Sequence, residues 1–287
     1  MDLSSLALVT ITLGAAAVNG ALGYGFSSIT VPLALLFLSN RVLNPALVLI
    51  EVALNAYVLV VNRGAIGQVW RRTSTIVLGL LPGVVIGTLI VSRVNPGWLR
   101  LWTFAILLPL ILLQAAGLRR PLRAERSIGF PFGCGVGVLY SVTTISGPPL
   151  ALLLNNQGFA KREFRAALAL VRLAESTFTA VAYYTAGLYN IESLSLVPYI
   201  VPSVLVGVPI GAFVIAHVRV ETFRRLCMSF DSWVVGFGLS ALIRDLHIVN
   251  SAAAFLVLAG VVVIDGCLLY RFFAESNTDV IRSLARA

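Results

Sequence analysis

Charges punctuate this chain, and the apolar stretches between them lie at about residues 5–38, 44–61, 74–92, 98–116, 128–154, 166–186, 193–216, 222–243 and 251–270. A helix rises about 1.5 Å per residue, so an uncharged run of roughly 18 to 25 residues crosses a hydrocarbon core of about 30 Å. Most of the segments therefore predict one crossing each. Two do not fit. The charge-free runs from Leu3 to Asn40 and from Ser127 to Ala160 hold 38 and 34 residues. One helix of that length overshoots the core, and two full crossings need about 40 residues plus a turn. A hairpin of two short helices fits, broken where Gly, Ser, Thr and Pro gather in the middle of each run.

The halves of the chain repeat at an offset of about 120 residues. Pro32-Leu33-Ala34-Leu35-Leu36 answers Pro149-Leu150-Ala151-Leu152-Leu153, Gly83 and Gly87 answer Gly207 and Gly211, and Trp98-Leu99-Arg100-Leu101 answers Phe223-Arg224-Arg225-Leu226. Each repeat is one broken segment followed by three ordinary spans, and 251–270 is a ninth segment. Sixteen of the 21 basic residues fall at Arg63, Arg71 and Arg72; Arg119, Arg120, Arg123 and Arg126; Lys161, Arg162 and Arg165; Arg219, Arg224 and Arg225; and Arg271, Arg282 and Arg286. Basic connections stay in the cytoplasm. A consistent path then requires each broken segment to return to its starting side, with the N-terminus outside and the C-terminus inside. Three true crossings per repeat is an odd number, so the second repeat is inverted relative to the first.

The expected fold is thus all-α and polytopic, in the cell inner membrane. Two inverted repeats each combine a re-entrant helical hairpin with three transmembrane helices. The first repeat covers 1–117, a basic cytoplasmic linker 118–127, the second repeat 128–246, and a C-terminal transmembrane helix and tail 247–287. Composition agrees with this picture. Of 287 residues, 59% are hydrophobic and 11% charged, against about 25% charged in a soluble domain; the mean hydropathy is +0.95. The net charge of +9 lies in short connections rather than on one soluble face, so it marks topology and not a nucleic-acid surface. Cys134, Cys227 and Cys267 lie inside apolar segments without metal-ligand spacing, so neither a disulfide framework nor a metal site is expected. The opening Met1-Asp2-Leu3 lacks a basic n-region, so the first apolar segment is expected to remain in the protein.

Both hairpin tips carry candidate chemistry. The first reads Gly23-Tyr24-Gly25-Phe26-Ser27-Ser28; the second, Ser141 to Pro149, places a hydroxyl at a helix N-cap and proline in the first turn. Unpaired N–H groups and the positive end of a helix dipole there suit an anion, though Gly, Ser and Pro equally permit close packing or a kink. Five ionisable residues fall well inside spans: Glu51, Arg172, Glu175, Asp231 and Asp265. A charge at the bilayer centre costs roughly 3 kcal/mol on insertion scales, so each needs a partner or an aqueous cavity. Arg172 has the fork geometry to hold a sulfonate, sulfite or carboxylate; alternatively it pairs with Glu175 one turn away or with Glu51, its counterpart in the other repeat. Glu51, Glu175 and Asp231 are proton-coupling candidates, because a desolvated carboxylate exchanges its proton closer to neutral pH. Asp265 is expected to pair with Arg271 or to snorkel. Asn19, Asn55 and Asn155 suit a cavity wall or helix–helix hydrogen bonds alike. Tyr183, Tyr184, Trp70, Trp98 and Trp102 fit aromatic belts, and His217 and His247 fall near the interfaces.

The Gly-rich break followed by Pro-Leu in each half, with eight or nine spans and a basic central loop, resembles the TauE/SafE family of sulfite exporters over nearly the whole chain. Gly23, Gly25, Ser27 and Ser28, and Thr144, Ser146, Gly147 and Pro149, match that family's glycine-rich motifs. Tyr24 and Phe26 interrupt the first motif, and Pro148 stands where members often carry glycine. The resemblance implies export of sulfite or a small organosulfur anion such as sulfoacetate, or sulfonate uptake as in some members. The resulting expectation is a secondary active transporter of such an anion, working by alternating access with protons as a coupling ion. Its partners are a small anionic substrate and the lipid bilayer, with no cofactor, metal or nucleic acid. A passive anion channel is the alternative. A membrane-embedded enzyme or scaffold has less support, since no Gly-x-Ser-x-Gly elbow, His/Glu cluster or paired catalytic aspartates appear.

Overall fold

The computed structural model describes residues 3–23, 25–116, 125–155, 159, 161–218 and 220–284. Among them the chain is helical: α1 (Leu3–Leu22), α2 (Phe26–Ala34), α3 (Asn40–Val61), α4 (Ile66–Arg93), α5 (Pro96–Ala115), α6 (Glu125–Thr143), α7 (Gly147–Asn155), α8 (Lys161–Thr185), α9 (Ile191–Ile215), α10 (Val220–Asp245) and α11 (Leu256–Leu284). Eight of the described helices are long and apolar enough to cross a membrane; the apolar part of α6, Ile128–Thr143, is shorter.

Both long runs break, but not into two short helices. A nearly full-length helix of 20 or 19 residues is followed by one of nine. The reason is local: α1 runs on until Gly23 and Gly25, which adopt φ of +83° and +107° and cannot continue a right-handed helix. At the second break the same left-handed turn falls on Thr144, at φ +55°. Other helices extend beyond the expected spans, because helical hydrogen bonding does not stop where hydrocarbon does. Arg71 and Arg72 belong to the early turns of α4, Arg162 and Arg165 to α8, and Arg224 and Arg225 to α10, rather than to loops. Of the expected linker 118–127, residues 118–124 lie outside the described residues, and Glu125 already opens α6.

The halves interlock. α1 packs along α9, and α6 along α4, so the first helix of each half lies on the third long helix of the other. The matched glycines permit this. A Cβ on Gly83 would collide with the Cys134 carbonyl of α6, and one on Gly211 with the Ala17 carbonyl of α1. α3 and α8 meet, α5 packs on α10, and α11 adds to α10. One hydrophobic cluster joins α1, α2, α3, α5 and α10, centred on residues such as Phe26, Leu43 and Phe104. A second joins α4, α6, α7 and α8 around Ile76, Leu80 and Leu154. Two helix ends are closed by arginine side chains. The Arg41 guanidinium donates to the carbonyls of Val91, Ser92 and Val94 at 2.8–3.0 Å, capping α4, and Arg100 reaches the Leu35 carbonyl behind α2 at 3.3 Å. Arg41 and Arg100 therefore carry structural roles.

Candidate functional site

The middle of α3 and the middle of α8 meet both breaks at the seam between the two clusters. Glu51 is the twelfth residue of α3, counted from Asn40, and Arg172 the twelfth of α8, counted from Lys161. Arg172 Nη2 donates to Glu51 Oε1 at 2.8 Å. Ser27, in the first turn of α2, donates to the same oxygen at 2.5 Å, and Tyr140 of α6 donates to Glu51 Oε2 at 2.7 Å. Three donors suit a carboxylate, which only accepts. From the second break, Ser146 donates to Glu175 Oε1. Glu51 and Glu175 are fully buried and Arg172 nearly so. Arg172 Nε and Glu175 Oε2 have no hydrogen-bond partner among the described residues. The centre therefore offers one spare donor and one spare acceptor, a turn apart on α8.

The ion pair joins Arg172 to Glu51 rather than to Glu175, which the sequence had left open. Ser146 stands at the N-cap position of α7, but its hydroxyl turns to Glu175 instead of capping the helix. The two tips are not equal as anion sites. α2 starts at Gly25 without a side-chain cap, and among the described residues no side chain accepts from the N–H groups of its first turn. In α7, Pro148 and Pro149 have no N–H, and the Leu150 N–H goes to the Ser146 carbonyl at 3.1 Å. Thr144 is buried, and its Oγ1 donates back to the Thr143 carbonyl at 2.7 Å. Gly147 and Pro149 shape the start of α7 and bring no polar side-chain group. Tyr24, and the side chains of Pro148 and Asn155, lie outside the described residues. Asn19 and Asn55 are buried, each with one side-chain atom lacking a partner among the described residues.

Several expectations are corrected. Tyr183 is not in an aromatic belt: it is fully buried, and its hydroxyl donates to the Ser141 carbonyl. α6 ends inside the protein, so its last carbonyls need donors, and Asn44 Nδ2 serves that of Val142 at 2.8 Å. Tyr184, Trp70, Trp98 and Trp102 are exposed. Asp265 pairs with Arg225 of α10 at 2.8 Å, not with Arg271, because α10 and α11 pack at that depth. Asp231 stands apart from the centre, in α10. Tyr140 and Tyr183 were missed. A signal existed for Tyr183, since Arg172, Glu175, Thr179 and Tyr183 recur at three- and four-residue spacing and form one polar stripe of α8.

Interlocked apolar helices around a buried ionic centre define a polytopic α-helical membrane protein, integral to the bilayer. The profile described as "Sulfite exporter TauE/SafE" matches residues 8–239, so the chain belongs to that family. A "Probable sulfite/organosulfonate exporter TauE" from Cupriavidus necator is 30% identical over 152 residues, which are 48% of this chain and 57% of that protein's own length. No solved structure matches.

Proposed function

We propose that this chain is a secondary active exporter of a small sulfur-containing oxyanion, sulfite or an organosulfonate. It works by alternating access between inverted repeats in the inner membrane, N-terminus outside, moving one proton with each anion. The observation that carries the reading is the Arg172–Glu51 pair at the midpoint of α8 and α3, held by hydroxyls from a break and a neighbouring helix. The name of the Cupriavidus protein supplies the class of anion.

The chemistry follows from competition. The Arg172 guanidinium already has an anion, the Glu51 carboxylate. A substrate oxyanion takes that place only when Glu51 gives up its negative charge, since an unpaired buried carboxylate beside a second anion is prohibitively expensive. A proton on Glu51 releases Arg172, so proton and anion occupy the site together. The spare Arg172 Nε–H and the spare Glu175 oxygen suit an oxyanion that accepts at one oxygen and donates from another. The uncapped first turn of α2 adds backbone donors. A dianion leaving with one proton carries one net negative charge, and an inside-negative potential favours that step by about 2.3 kcal/mol per 100 mV.

In proteoliposomes loaded with sulfoacetate, labelled sulfoacetate should enter by counterflow, and in empty proteoliposomes net sulfoacetate entry should acidify the lumen. Glu51→Gln should retain counterflow but lose the acidification that accompanies net uptake. Flux without stimulation from the far side would make the protein a channel, and net uptake without acidification by the unsubstituted protein would remove the coupling.

A further inference from the structure

Ser27 and Ser28 are neighbours on the first turn of α2, about 100° apart around the helix, and so face different spaces. Ser27 meets Glu51. Ser28 lines a separate cavity of about 20 Å³ among α1, α2, α5 and α10, together with Gly25, Arg224, Cys227 and Asp231. The three α10 residues recur at spacings of three and four, so they lie on one face and follow the helix for about 10 Å, from its beginning to its middle. Asp231 is 7% exposed and has neither hydrogen bond nor ion pair among the described residues. Arg224 pairs with Glu221 at 2.7 Å while its Nε is left without a partner. Arg225 points elsewhere, to Asp265 of α11. Among the described residues, no charged or titratable group lines the cavity from α1, α2 or α5.

We propose that this cavity is the constricted access route of the anion, running from the end of the molecule where α10 begins to the first break, with Arg224 at its mouth and Asp231 at its floor. The inference rests on the transporter reading above. A space of this size holds a water molecule and not an oxyanion, so α2 or α10 moves aside during passage. Arg224 concentrates anions at the mouth. Asp231 decides admission: as a carboxylic acid it donates a hydrogen bond to the arriving oxyanion, and as a carboxylate it repels it. Cys227 lies between the two.

With Cys134 and Cys267 replaced by serine, Cys227 is the sole thiol. In oriented vesicles exchanging sulfoacetate, an anionic methanethiosulfonate applied from the side where α10 begins should modify Cys227 about tenfold faster than a cationic reagent of equal size. Arg224→Gln should bring that ratio near one, and Arg224→Lys should preserve it. The ratio should fall as pH rises, and Asp231→Asn, whose amide donates at any pH, should remove that dependence. No modification from that side, or equal rates for the two reagents, overturns the proposal. Counterflow in the same vesicles separates the two readings: its absence defeats the transporter, while labelling still decides the route.

Discussion

At the scale of single residues, the centre is a compensated charge pair with hydroxyl donors around it, and its parts are unequal in cost. Removing Arg172 leaves the Glu51 carboxylate buried with only Ser27 and Tyr140 as donors. Arg172→Gln is therefore expected to lower stability by about 3–5 kcal/mol. Replacing both partners, Glu51→Gln with Arg172→Gln, should restore most of it, because no lone charge remains. Thermal melts in detergent micelles check both, and counterflow of the double variant should be lost although the protein is folded. Thr144 makes a different point. Its positive φ is costly for a β-branched residue, and such strain collects at functional turns. Thr144→Gly should relieve about 1 kcal/mol of backbone strain, read as a smaller loss of stability than Thr144→Ala shows in the same melt, while slowing exchange.

At the scale of elements, the breaks and the glycine seams set the geometry. Gly83 and Gly211 let α4 approach α6 and α9 approach α1 closely enough that no side chain fits between backbones. Without a hydrophobic drive between helices in lipid, such close contact is a main source of association. Gly83→Val or Gly211→Val should cost about 3 kcal/mol or more and appear as lost folded protein on size-exclusion chromatography, whereas Gly67→Ala, at a glycine with open space around it, should be neutral. The seams also explain how polar groups come to face each other. Holding α1 and α6 against the opposite half places α2 and α7 against α3 and α8, where Ser27 and Ser146 find their carboxylates.

For the whole molecule, α1 packs on α9 and α6 on α4, so the expected repeats 1–117 and 128–246 share their packing surfaces. The proposed inversion makes a definite statement about sidedness. Basic residues open α4, α8 and α10, so those ends should share one face. Cysteines placed at positions 63, 187 and 247 in a cysteine-free protein should react with an impermeant reagent from inside, outside and outside the cell, respectively. Reactivity of the first two from one side would remove the inversion. The mouth beside Arg224 then opens to the cytoplasm, the side from which an exporter loads.

The number of apolar segments, the existence and place of both breaks, the matched halves and five of the six buried charges among the described residues were legible in the linear order of residues; the sixth, Arg225, was expected in a basic connection. Insertion into lipid depends on local hydropathy, and a glycine-rich turn breaks a helix whatever surrounds it. Partner choice was not legible. That Arg172 takes Glu51 and leaves Glu175 to Ser146, that Asp265 meets Arg225, and that Tyr183 turns inward depend on the distance and rotation between helices remote in sequence. Those are settled by backbone contact at the glycine seams. Local composition states the cost of burying each charge, and only packing supplies the group that offsets it.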